Sequence, residues 1–293
     1  MIENGIARRR FRKAVAAMAL VLAVAVAGGL ASCSAPGSPE ADAAQGARTV
    51  EQIRESGTIR IGVFSDKSPF GYVDEHGEYR GYDIELARRL ADDLGVEAEL
   101  VSTEAANRVE YLQTGKVDVI LANFTVTPER SEVVDFASPY MNVSLGVVSP
   151  ESAPVTDLSQ IGSDDEVIVI SGTTAETYLT QEHPEVRLQK YDTYAAAKTA
   201  FENGAGVAWA NDNTEVMAFA ASTEGYVVGI DELGGTDTIA PAVAKGNTDL
   251  LDWVNGDLAK LGAERFFHGA YERTLEPVYG ADYEETLVVE PGA

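Results

Sequence analysis

From Thr58 onward, short β-branched apolar runs alternate with segments whose apolar residues recur at helical spacing. Thr58–Phe64 reads as a strand. Tyr82–Leu94 reads as a helix, with Ile84, Leu86, Ala87, Leu90 and Leu94 on one face and Gly95 placed to end it. Strands at Glu99–Ser102 and Val117–Asn123 flank a short helix at Arg108–Thr114, and a longer strand at Tyr140–Ser149 runs into Pro150. The rhythm then repeats. Strands at Glu166–Ser171, Arg187–Tyr191, Gly206–Ala210 and Val227–Ile230 are interleaved with helices at Thr174–Gln181, Tyr194–Asn203 and Thr214–Ser222. A strand at Ile239–Ala244 and helices at Thr248–Leu261 and Glu264–Arg273 follow. This alternation predicts α/β sheets with helices on their faces.

The N-terminal pattern is different. Arg8, Arg9, Arg10, Arg12 and Lys13 precede a run of seventeen uncharged residues, Ala14–Leu30, as in an export signal. Leu30-Ala31-Ser32-Cys33 then resembles the lipobox of bacterial lipoproteins, in which the cysteine is lipidated and becomes the N-terminus. The arginine run also resembles a twin-arginine signal, although an ordinary basic segment accounts for it. Residues 1–32 are therefore expected to be a signal peptide. Residues 33–50, with no periodic apolar pattern over Ser34–Arg48, are expected to be a flexible tether.

Charge narrows the partners. The 293-residue chain has 22 Lys plus Arg against 47 Asp plus Glu, a net charge of −25. Removing residues 1–32 takes away five positive charges and one negative, leaving −29. Phosphate backbones repel such a surface, which argues against nucleic acid. Cys33 is the only cysteine, and His76, His183 and His268 never fall at metal-ligand spacing, so neither a disulfide nor a metal is expected. No cofactor is expected either.

In open α/β sheets, ligands sit beyond the carboxyl ends of strands. Four such ends are polar or unusual: Phe64-Ser65-Asp66-Lys67, Asn123-Phe124-Thr125, Ser171-Gly172-Thr173-Thr174 and Asn211-Asp212-Asn213. Two lie in each half of the chain, which points to a cleft between halves. Thr127-Pro128-Glu129-Arg130 reads as the first turn of a helix, yet Arg130 stands where a capping box wants Glu or Gln. Arg130 is either a surface residue pairing with Glu129, Glu132 or Asp135, or half of a carboxylate clamp with the helix end. Gly172, Thr173 and Thr174 form either a helix cap or an anion nest. Asp212 is either an N-cap or an ammonium anchor. Arg108, between Glu104 and Glu110, looks locally like a solvated helix charge.

Six segments carry a resemblance. They are Gly57–Val63, Pro69–Tyr72, Gly81–Ala87, Gly115–Asp118, Thr125–Arg130 and Asp135–Tyr140. In this order and spacing they resemble the polar amino-acid solute-binding proteins of ABC importers, bacterial extracellular family 3. The resemblance implies two α/β lobes with a cleft between them and a two-stranded hinge, with residues 51–145 and 240–293 in lobe 1 and residues 146–239 in lobe 2. It implies that Arg130 grips an α-carboxylate, helped by Thr125 and by the Gly172-Thr173-Thr174 turn, and that Asp212 holds the α-ammonium. An ABC permease and its ATPase are the implied partners, and a monomer anchored outside the cell membrane through Cys33 is the implied form.

Gly-x-Ser-x-Gly, Ser-x-x-Lys and His-Glu-x-x-His are absent, which removes those hydrolase and metalloenzyme readings. The resemblance leaves one enzymatic rival, a cyclohexadienyl or arogenate dehydratase on the same fold. Such an enzyme needs a placed acid, and the sequence singles none out. Glu104–Glu110, Ile120–Arg130, Asp212–Thr214, Ala240–Asn247 and Phe266–Tyr271 most resemble the cysteine-binding branch. Related aspartate/glutamate receptors tend to carry lysine at the end of the first strand. Phe64 stands there in this chain, and an aromatic suits a small thiol better than a second carboxylate. Arg108 and Lys67 remain as cations for an acidic side chain, so aspartate or glutamate is the alternative.

Overall fold

The computed structural model describes residues 46–292, so the signal peptide, Cys33 and the tether up to residue 45 lie outside the described residues. In chain order the elements are α1 (Val50–Ser56), β1 (Thr58–Val63), β2 (Asp66–Lys67), β3 (Gly71–Val73), β4 (Tyr79–Arg80), α2 (Tyr82–Leu94), β5 (Glu97–Ser102), α3 (Arg108–Gln113), β6 (Val119–Ile120), α4 (Pro128–Val133), β7 (Val134–Phe136) and β8 (Met141–Pro150). They continue as β9 (Glu166–Ile170), α5 (Thr174–Glu182), β10 (Arg187–Tyr191), α6 (Tyr194–Glu202), β11 (Ala208–Asp212), α7 (Asn213–Ser222), β12 (Tyr226–Ile239), β13 (Ala242–Ala244), α8 (Thr248–Ala263) and α9 (Phe266–Thr274), with α10 (Glu276–Tyr279) and α11 (Glu284–Leu287) last.

Two five-stranded sheets organise the body. The first runs β5-β1-β6-β13-β7 and the second β10-β9-β11-β8-β12. In the first, β1 pairs in parallel with β5 and β6, and β13 is antiparallel to β6 and β7. Because β13 returns from the C-terminal part of the chain, the first lobe is built from two separated segments. Ile59, Ile61 and Val63 of β1 are fully buried, and α2 covers that sheet with Ile84, Leu86, Ala87, Leu90, Ala91 and Leu94. Gly95, at φ 79, ends α2 in the left-handed turn that its lack of a Cβ permits.

Two strands join the lobes. β8 and β12 pair antiparallel from Pro150↔Tyr226 in the second sheet to Met141↔Ile239 beside the first. Their register shifts three times, between Val228 and Ile230, Ile230 and Leu233, and Leu233 and Asp237. Such bulges bend and twist a ribbon, as a hinge requires. β12 is far longer than the expected strand at Val227–Ile230, because Asp231–Thr238 is polar and Gly-bearing yet still pairs with β8. The expected strand at Ile239–Ala244 is instead split at Ala240-Pro241, where proline has no N–H for the ladder. Likewise Val117–Asn123 yields only the two-residue β6.

The lobes are closed on each other. One buried apolar cluster contains Phe64 and Ile120 from the first lobe with Val148, Ile168, Tyr194 and Trp209 from the second. The Phe64 and Tyr194 rings meet edge to face at 5.2 Å between centroids. The end of the expected tether, residues 33–50, belongs instead to the body: Thr49 caps α1, Val50 opens it, and Arg48 is fixed in place. Its guanidinium pairs with buried Asp118, which also accepts from Arg60, and its carbonyl accepts from Asn247 Nδ2 at 3.0 Å.

Candidate functional site

The first lobe brings three loops to the seam. α4 starts as its sequence predicts: Thr127 Oγ1 accepts from Arg130 N at 3.2 Å, and Pro128 occupies the first turn. Arg130 does not pair with Glu129, Glu132 or Asp135; Asp135 is bound to Lys245 at 2.7 Å. Instead Arg130 Nη1 donates to Thr125 O at 2.7 Å and Nη2 to Gly172 O at 3.0 Å. Arg108, expected to look solvated, is 3% exposed. It donates to Ala105 O (2.9 Å), Ala122 O (3.1 Å) and Gly172 O (3.0 Å), with a longer contact to Asn123 O at 3.3 Å.

Two guanidiniums therefore converge on one carbonyl of the opposite lobe. Both also lie over the Phe124 ring, at 4.4 Å for Arg108 and 4.8 Å for Arg130. Neither forms an ion pair with a carboxylate among the described residues. Burial, then the neighbouring Arg108 charge, lowers the pKa of half-buried Arg130 to about 9; burial lowers that of Arg108 too. Two like charges facing a neutral acceptor in a poorly hydrated seam make a place where an anion is stabilised.

The second lobe supplies Gly172 and Asp212. Gly172 sits at φ 79, and a Cβ there would lie 2.5 Å from Ala106 Cα. Only glycine lets the two backbones approach this closely. Thr173 caps α5: its hydroxyl accepts from Glu176 N at 3.3 Å and donates to Ile170 O at 2.7 Å. Thr174 lines a groove of about 360 Å³ between the lobes, together with Arg130, Leu145, Tyr178 and Asp237. Asp212 stands at the N-cap position of α7 but makes no side-chain cap bond. Its Oδ2 accepts from Lys67 Nζ at 2.8 Å, so that carboxylate faces the seam and not its own helix.

Lys67 Nζ also donates to Asn123 Oδ1 at 2.6 Å. Burial pulls the lysine pKa down, but Asp212 with Tyr194 and Glu215 outweighs it, and the ammonium stays charged. Behind Asn123 lies Asp83. Its Oδ2 accepts from Asn123 N at 2.8 Å and its Oδ1 from Tyr140 OH at 2.6 Å, and burial raises its pKa to about 6. Asn123 is held in the left-handed region, at φ 44. Of the residues expected at the site, Phe64, Arg108, Asn123, Arg130, Gly172 and Asp212 meet at the seam. Thr125 contributes its carbonyl, Thr173 caps a helix, and Thr174 faces the outer groove.

Residues 59–276 match the bacterial extracellular solute-binding proteins, family 3. The chain belongs to that family. This is a family of amino-acid-binding receptors that work with ABC transporters. Among solved structures, the solute receptor for L-cysteine of Neisseria gonorrhoeae is 52% identical, with a TM-score of 0.81, covering 83% of this chain and 100% of that one. A cysteine-binding protein from Campylobacter jejuni is 45% identical, with a TM-score of 0.80, covering 82% of this chain and 98% of that one. The ABC transporter glutamine-binding protein of Bacillus subtilis is 28% identical over 84% of this chain and 92% of its own length. Among the described residues of this family 3 protein, no helix is long and apolar enough to cross a membrane.

Sequence reasoning missed Asp83 behind the seam and Tyr194 within it, and gave Lys67 only as a spare cation. Asp83 lies within Gly81–Ala87, one of the segments that carry the family resemblance, and that was its available signal. Tyr194 looks like an ordinary first residue of a helix. Nothing local marks it.

Proposed function

We propose that the protein is the extracytoplasmic receptor of an ABC importer and captures a small free amino acid, cysteine by preference, by closing its lobes around it. The observation that carries this reading is the convergence of Arg108 and Arg130 on Gly172 O across the seam, opposite Asp212. The guanidiniums would take the α-carboxylate and Asp212 the α-ammonium. Phe64 and Tyr194 would bound a small, weakly polar side chain. The likeness to two cysteine-binding structures supports cysteine. Lipidated Cys33 and the tether would hold the receptor near its permease at high effective concentration.

One observation favours a second reading. Glu215, three residues after Asp212, is buried, and its Oε2 has no hydrogen-bond partner among the described residues. Burial raises its pKa to about 7, which suits a general acid such as a dehydratase needs. Turnover of arogenate or prephenate would favour that reading; none would remove it.

The receptor reading is tested by thermal shift of the full-length protein with the twenty amino acids and cystine, under reducing and oxidising conditions. Ligand at a hundred times its Kd adds about 2.7 kcal/mol, a shift of about 5–10 °C for a body of this size. A shift with cysteine is expected. A shift with glutamate and none with cysteine overturns the specificity, and no shift with any amino acid overturns the function.

A further inference from the structure

Lys67 is an unusual wall for an amino-acid site. Its side chain is fully buried on β2, within 5.7 Å of the Phe64 ring centre, 5.4 Å of Phe70 and 4.9 Å of Tyr194. It takes one oxygen of Asp212, at 2.8 Å, and the side-chain oxygen of Asn123, at 2.6 Å. Asp212 Oδ1 accepts no hydrogen bond among the described residues. The carboxylate is thus divided, with one oxygen committed to a cation of the protein and the other open to a ligand ammonium.

The charge count at the seam follows. Lys67, Arg108 and Arg130 are three cations, and among the described residues Asp212 is the one carboxylate in direct contact with any of them, Glu215 and Asp237 lying near without touching. Asp83 touches Asn123 and Tyr140, one step behind. A zwitterion adds no net charge to this excess. A side chain with its own ammonium adds a further positive charge beside Lys67, in a place where water does not screen it. A neutral or anionic side chain adds none.

On the reading that this seam binds an amino acid, we propose that Lys67 is a specificity-determining residue: it fills half of Asp212 with a cation belonging to the protein, so that the receptor accepts small uncharged or anionic side chains and rejects cationic ones. The lysine is a filter because it cannot be displaced cheaply. Leaving Asp212 would leave a buried ammonium with no counter-charge in contact and Asn123 Oδ1 as its hydrogen-bond acceptor among the described residues.

The test compares two ligands of equal length, L-homoserine and L-2,4-diaminobutyrate, by titration calorimetry at pH 7 on the full-length protein. The native protein should bind homoserine at least 30-fold more tightly. Lys67→Met should shrink that ratio at least tenfold, and Lys67→Arg, which keeps the charge, should preserve it. A ratio below threefold in the native protein overturns the filter without any variant. An unchanged ratio in Lys67→Met overturns it too. If neither these ligands nor any amino acid binds, the receptor reading fails and the filter falls with it; if cysteine binds while the two probes bind equally, only the filter fails.

Discussion

Gly172 and Ala106 face each other across the lobe seam so closely that a Cβ on Gly172 would lie 2.5 Å from Ala106 Cα. Gly172 is also in the left-handed region, at φ 79, so alanine there meets both a backbone clash and backbone strain. Neither penalty can be relieved by turning a side chain. Opening the lobes relieves the clash. Gly172→Ala should therefore favour the open form, weaken amino-acid binding by about tenfold to a hundredfold, and give a larger radius of gyration by small-angle scattering with ligand present. Full closure and unchanged affinity would show that the seam has slack.

Arg130 and Arg108 are distinguishable from their acidic neighbours by truncation. Arg130→Ala should cost about 2–5 kcal/mol of binding, as losing one partner of a buried charge pair does. Arg108→Ala should cost a similar amount, because it also anchors Ala122 and Gly172 carbonyls. Exposed Glu129 touches neither, and Glu129→Ala should leave calorimetric affinity within about threefold. Equal effects at all three positions would remove the clamp.

Glu215 sets a pH dependence. Its pKa rises from 4.5 to about 7, chiefly through burial, so the folded state binds this proton more tightly than the unfolded chain. Its contribution is fully present below about 4.5 and is lost as pH rises through about 7. Asp83, raised from 3.8 to about 6, acts with the same sign over a lower window. Glu215→Gln should flatten the stability profile between pH 4.5 and 7 and be more stable than the native chain at pH 8, by at most about 3 kcal/mol. Chemical denaturation at pH 5, 6, 7 and 8 reads this difference. A native-like slope in the variant would contradict it.

Much of the fold is legible in the sequence where periodicity and punctuation agree. Tyr82–Leu94 is recognisable because its apolar stripe runs into Gly95, and Arg187–Tyr191 because polar turns bound it. The helix Val50–Ser56 is not: only Val50 and Ile53 are buried, and its signal is the capping box of Thr49 and Gln52. The polar half of β12 looks like a loop, since its pairing with β8 is a tertiary fact. At the site, Arg130 is marked by a broken capping rule, which is local. Arg108 and Lys67 are not marked. Lys67 meets partners 56 and 145 residues away, and only folding makes a helix-flank arginine or a loop lysine a buried cation.

Cys33 lies outside the described residues, and its lipidation is a direct mass measurement. The membrane-extracted protein should lack residues 1–32 and carry a diacylglycerol on Cys33. A soluble protein with an unmodified thiol would remove the anchor from the account.

Recognition of a zwitterion between Arg108, Arg130 and Asp212 is tested most directly by titration calorimetry with cysteine and its two truncated forms. Cysteamine lacks the carboxylate, and 3-mercaptopropionate lacks the ammonium. Each should bind more weakly than L-cysteine by about 2–5 kcal/mol, since each leaves one side of the seam with an unpaired buried charge. Either analogue binding within threefold of cysteine would contradict the account.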